Sequence, residues 1–169
     1  APFSAGLATG LARDPADCVA RLGPGYNAAT QLRESEGGEV EDIKGHGTRC
    51  AGIAAATTHN GIGVASIAPN ARIMPVRVTN KVSGSASLSA LFDGIRYAAD
   101  NGARVVTVSY AGVSSGTAEV TAAYARTQGC MVVWSTDNFG FDYSWFDHPS
   151  ITIVASTDQS DTLMANVST

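Results

Sequence analysis

The sequence predicts an α/β fold in three layers: a mostly parallel sheet with helices on both faces. Three observations predict it. Residues 73–78, 105–109, 131–135 and 151–155 are nearly continuous apolar runs of strand length, the pattern of strands buried on both faces. Between them lie segments with apolar residues at helical spacing, such as Leu88, Leu91, Phe92, Ile95, Ala98 and Ala99. Strand and helix alternate, and parallel strands need such crossovers.

Each element has its own signals. Residues 4–7 form a short apolar strand, ended by Thr9-Gly10. Residues 31–44 are acidic and Gly-rich and read as a surface loop. A helix of small residues follows His46 and runs through Ile53 to the alanines at 54–56, with turn signals at Asn60-Gly61 and Gly63. The β-branched content of residues 73–78 marks a strand. A Ser/Gly-rich loop at 83–89 leads into the second helix, stopped by Asn101-Gly102. A strand over 105–109, a helix over 118–127 stopped by Gly129, and strands over 131–135 and 151–155 complete the pattern. Ligands of open α/β sheets bind at the carboxyl ends of strands. Polar residues sit at three such ends, after Leu7, Val108 and Trp134.

Composition narrows the classes. A chain of 169 residues reads as a single domain over 1–169, without repeat or linker, and buries roughly 70% of its unfolded surface. Charged residues are 15%, too few for disorder. Net charge is −4 and no basic run occurs, so nucleic acid is not an expected partner. No apolar run reaches the length of a membrane span, so no membrane is expected either. The chain begins at Ala1 and shows no signal-peptide pattern. Of three cysteines, Cys50 is expected to pack in the first helix as a small buried hydrophobe, and whether Cys18 pairs with Cys130 stays open. No ligand spacing for structural zinc occurs.

The most informative stretch is His46-Gly47-Thr48-Arg49-Cys50-Ala51-Gly52, followed by the Asn60-Gly61 run up to Arg72. With residues 94–112, 129–138, 148–156 and 165–169, in that order, it resembles the subtilisin-like serine proteases, and Cys50 resembles the thiol of the proteinase K-like branch. The resemblance spans residues 4–169. It implies a subtilisin-like fold, secreted or extracytoplasmic localisation, and peptide or protein substrates. It makes His46 the general base, at a helix start that keeps the imidazole in a surface cleft. It makes Ser109, Tyr110, Ala111 and Gly112 an extended backbone edge for a peptide, which main-chain hydrogen bonds would hold. It places Ser135 and Asp137 in the substrate site and Asn138 at the oxyanion-hole position, where an amide donor is worth about 3 kcal/mol.

Departures from the family pattern are as informative. Ala8, in Ala8-Thr9-Gly10, stands where the family has its catalytic Asp. Loss of that carboxylate costs about 10⁴ in turnover. The Gly-Thr-Ser of the nucleophile segment occurs nowhere, so the serine is expected from a C-terminal half or a second chain, and these residues alone are expected to be inactive. Asp137 replaces a glycine beside Asn138, where a carboxylate opposes an oxyanion. Thr107 stands for an Asn, Ala111 for a Gly, and Trp134 for a small residue whose replacement narrows the substrate pocket. No cofactor is expected. Calcium, which some members bind after the His helix, would take Asn60 and carbonyls near Ile62 and Val64, though Asn60-Gly61 reads better as a plain turn. The alternative reading is a non-catalytic pseudoprotease that binds extended peptides or a partner protein. A nucleotide-binding domain is disfavoured, because Gly6 to Gly10 is not Gly-x-Gly-x-x-Gly.

Overall fold

The computed structural model describes residues 3–7 by backbone, and residues 23–61, 63–143 and 147–164. The elements are β1 (Phe3–Leu7), β2 (Tyr26–Asn27), β3 (Leu32–Arg33), α1 (His46–Ala55), β4 (Arg72–Arg77), α2 (Leu88–Asp100), β5 (Ala103–Val108), α3 (Gly116–Thr127), β6 (Met131–Ser135) and β7 (Ile151–Val154). They build one seven-stranded sheet in the order β3-β2-β4-β1-β5-β6-β7. All pairings are parallel except β2 with β3. The fold is thus α/β with a mostly parallel sheet, as the order of sequence elements predicts. No helix among the described residues is long and apolar enough to cross a membrane.

Two departures lie in the segment read as a loop. It contains β3 and a 3-10 turn at Glu34–Glu36, and β2 precedes it. These strands are two residues long, too short for a periodicity to show. Tertiary contacts hold them instead: the Tyr26 ring stacks on Tyr97 at 4.0 Å, and its hydroxyl donates to Asp93 Oδ2 at 2.6 Å. Burial, reinforced by Asp93, pushes the Tyr26 hydroxyl well above its ordinary range.

The core lies between the sheet and the α2–α3 layer. Met74, Val76, Val106, Val108, Val132 and Trp134 point into it from the strands. Ala90, Leu91, Ile95 and Ala98 of α2 and Ala118, Ala122 and Ala125 of α3 meet them. The alanines explain why a chain so rich in small residues packs tightly: they let helix and sheet backbones approach closely. Ser87 caps α2, its hydroxyl accepting from Ala90 N–H at 3.2 Å.

α1 packs across β1 and β4 from the other side, burying Ala51 and Ala55. It does not extend over β5, β6 and β7. There Val105 and Val133 are half-buried, while Thr107, Met131, Thr152 and Val154 are exposed. Register places Val105 beside Met131, and Val133 between Thr107 and Thr152. Helices thus lie on both faces of the sheet, and on this second face the described residues cover its β4–β1 half. Among the described residues, nothing covers the rest.

Candidate functional site

His46 is the first residue of α1. Gly45 before it has φ 84°, a left-handed conformation that glycine adopts at no steric cost. Asp42 fixes this helix start. Its Oδ1 accepts from the N–H groups of Lys44 (2.8 Å) and Gly45 (2.7 Å), and its Oδ2 from the N–H (2.8 Å) and hydroxyl (2.7 Å) of Thr48. Partial burial opposes the Asp42 charge, but the donors of Thr48, Lys44 and Gly45 outweigh it and hold the carboxyl below its ordinary range. The sequence reading passed over Asp42. The signal was there: a carboxylate just ahead of a helix is a capping cue.

The imidazole is exposed and turned toward the end of β5. Its Nε2 lies 3.3 Å from the carbonyl oxygen of Ser109 and 3.8 Å from Cys50 Sγ. A carbonyl only accepts, so the contact with Ser109 favours the tautomer with the proton on Nε2, and a nitrogen in that state cannot take a proton from a nucleophile. Cys50 is half-buried, not fully packed away as expected, because it faces the cleft one helical turn after His46; its Sγ lies 3.7 Å from Ser109 Oγ. Cys50 and Cys130 are both free thiols, and Cys18 lies outside the described residues.

β5 ends at Val108, and the chain bends at Tyr110 and Ala111 instead of running straight on. The indole N–H of Trp134 donates to the Tyr110 carbonyl at 2.7 Å, and the Tyr110 hydroxyl donates to Gly84 O at 3.1 Å. Trp134 is fully buried on the α2 side, tilted against Phe92 at 6.4 Å. It therefore fills the core instead of narrowing a substrate pocket. Gly112 has φ 121°, a backbone conformation that favours glycine, and a Cβ there would stand 2.6 Å from Leu88 Cδ2, which would have to shift.

The end of β6 comes alongside. Ser135 Oγ donates to Val108 O at 3.3 Å, and Thr136 N–H to Val154 O at 2.8 Å. Asp137 is buried, with its carboxylate turned into its own loop: Oδ1 accepts from Phe139 N–H (3.1 Å) and Oδ2 from the Tyr143 hydroxyl (2.6 Å). Tyr143 also bonds Ser114, which ties this loop to the turn after Gly112. The Asp137 bond is the main cause that raises the Tyr143 hydroxyl above its ordinary range. Asn138 next to it is exposed and makes no hydrogen bond among the described residues.

The structure thus brings His46, Ser109, Tyr110, Ala111, Gly112, Ser135, Asp137 and Asn138 to one end of the sheet. Ala8 lies outside the described residues; Leu7 before it pairs with Val108. Asn60 is exposed, and Ile62 lies outside the described residues. Among the described residues no three His, Cys, Asp or Glu side chains stand where they could hold a metal. A cavity of about 590 Å³ at the opposite ends of β5–β7, lined by Arg104, Arg126 and Cys130 among others, contains none of the candidate site residues.

Residues 24–169 match the subtilase family (Peptidase S8). The chain is 45% identical over 121 residues to thermitase of Thermoactinomyces vulgaris, covering 69% of this chain and 43% of thermitase. It is 39% identical over 125 residues to a thermophilic serine proteinase of Bacillus sp. (strain AK1), covering 72% and 31%. It spans less than half the length of either relative. In fold it resembles a cold-adapted subtilisin-like serine proteinase (TM-score 0.78, 23% identity, 98% of this chain and 58% of the other). It also resembles the epidermin leader peptide processing serine protease of Staphylococcus aureus (TM-score 0.77, 20% identity, 99% and 49%). The chain belongs to the subtilase family of serine proteases.

Proposed function

We propose that this chain is the peptide-holding part of a subtilisin-like endopeptidase domain and does not hydrolyse peptides by itself. His46 is the general base of the complete site. Residues 109–112 bind the substrate backbone, Ser135 and Asp137 border the cleft, and Asn138 donates to the oxyanion. The serine nucleophile comes from polypeptide outside these residues or from a second chain. The observation that carries this reading is the surroundings of the His46 ring: its polar neighbours among the described residues are the Ser109 carbonyl and the Cys50 thiol, with no serine hydroxyl in hydrogen-bond contact. A base with neither a serine hydroxyl to deprotonate nor a carboxylate to fix its tautomer lacks the other two parts of a serine-protease triad.

The test is incubation of the purified chain with unfolded casein and, separately, with a fluorophosphonate probe. Binding of casein without new fragments, and no labelled serine, is the expected result. Labelling of a serine contradicts the proposal. One feature favours a pseudoprotease as the second reading: the buried Asp137 carboxylate beside Asn138, a negative charge next to the site of a developing oxyanion. Fluorophosphonate treatment of these residues joined to a subtilase nucleophile segment separates the two readings, since an endopeptidase is labelled and a pseudoprotease is not.

A further inference from the structure

Trp134 has no role in the site as the family resemblance describes it, yet it touches the peptide-binding segment directly. Its indole nitrogen is a donor only, and a fully buried donor needs an acceptor. That acceptor is the carbonyl of Tyr110, at 2.7 Å. The peptide units here are all trans, because no cis bond occurs among the described residues. In a planar trans unit the C=O of one residue and the N–H of the next point in opposite directions. Holding the Tyr110 carbonyl down toward the core therefore aims the Ala111 N–H outward. Ala111 is exposed, and neither its N–H nor its C=O makes a hydrogen bond among the described residues. The neighbouring Ser109 carbonyl points to the other side, at His46. The Tyr110 side chain is tied to Gly84 O, which holds this unit from its side-chain end as well.

A rotation of the Tyr110–Ala111 peptide would point an N–H at the indole N–H and leave a buried donor without a partner. Such a donor costs more than an ordinary hydrogen bond gains. We propose that Trp134 is a positioning residue: its indole locks the Tyr110–Ala111 peptide so that the Ala111 N–H faces a bound substrate strand and donates to its carbonyl. This rests on the reading of residues 109–112 as a peptide-binding edge, and deepens it by naming what sets the edge's polarity.

The test replaces only the donor. The isosteric benzothienyl analogue of tryptophan at position 134 keeps the ring shape and exchanges N–H for sulfur; Trp134→Phe is the second variant. Affinity for a fluorescein-labelled Ala/Ser oligopeptide is read by anisotropy, below the melting temperature of every variant, together with the Ala111 amide NMR shift on peptide addition. A residue that merely packs would leave both readouts unchanged in the isostere. The expected result is binding about tenfold weaker, about 1.4 kcal/mol, with loss of the peptide-induced Ala111 shift in the isostere and in Trp134→Phe. If the wild-type chain binds the peptide and the isostere binds it equally with the shift intact, the proposal is overturned while the edge stands. If the isostere does not fold, equal binding and an intact shift in Trp134→Phe overturn it. If the wild-type chain does not bind, the edge reading falls and takes the proposal with it.

Discussion

Asp42 places four donors on one carboxylate at the start of the helix that carries His46. Asp42→Ala should cost about 1–2 kcal/mol, the usual range for a lost helix cap, and lower the melting temperature. The pH dependence has a definite sign. The folded carboxyl sits below its unfolded value of about 4, so its contribution is complete above that pH and fades as pH falls through the folded value. Melting curves should show wild type above Asp42→Asn at pH 7, with the gap closing in strong acid; a gap that persists there contradicts the capping role. The thiols differ as well. Burial pushes the Cys130 thiol up to about 11, whereas Cys50 opens to the cleft. Iodoacetamide at pH 8 should modify Cys50 well before Cys130, as peptide mapping by mass spectrometry would show.

Among the elements, α2 and α3 pack through alanines that leave no spare volume: Ala98, Ala118, Ala122 and Ala125 are all completely buried. Ala122→Leu should destabilise by about 1–3 kcal/mol through overpacking, measured by urea unfolding. These elements were legible in the sequence because their signals are local. Leu91, Ile95 and Ala98 repeat at helical spacing, Ser87 caps the helix and Asn101-Gly102 stops it, so α2 could be read directly. β4 and β6 were legible as apolar runs. β2 and β3 were not, since pairing with β4 and the Tyr26–Tyr97 stack define them, and neither leaves a mark within a few residues. At the site, the motif around His46 announced the imidazole and the ends of β5 and β6. The orientation of side chains there was hidden. Trp134 read as a pocket wall and is a core residue, because which face of β6 it occupies depends on the sheet, not on its neighbours in sequence. Asp137 read as a charge beside Asn138, but its bonds to Phe139 N–H and the Tyr143 hydroxyl left no mark in the sequence.

At the scale of the whole molecule, the face of β5–β7 left open by the described residues and the exposed Ile53, Val64 and Ile67 place apolar surface in water. Surface of this kind drives association. Light scattering should show the chain self-associating with rising concentration, and the pair Met131→Lys and Val154→Lys should reduce it; a monomer at all concentrations contradicts this. The central claim is that one end of the sheet, and no other surface, holds an extended peptide. Hydrogen exchange of the full chain with and without an unfolded peptide measures that most directly. Slower exchange confined to residues 109–112 and 135–138 is the result this account requires. Unchanged exchange there, or protection centred on the cavity beside Arg104 and Arg126, would contradict it.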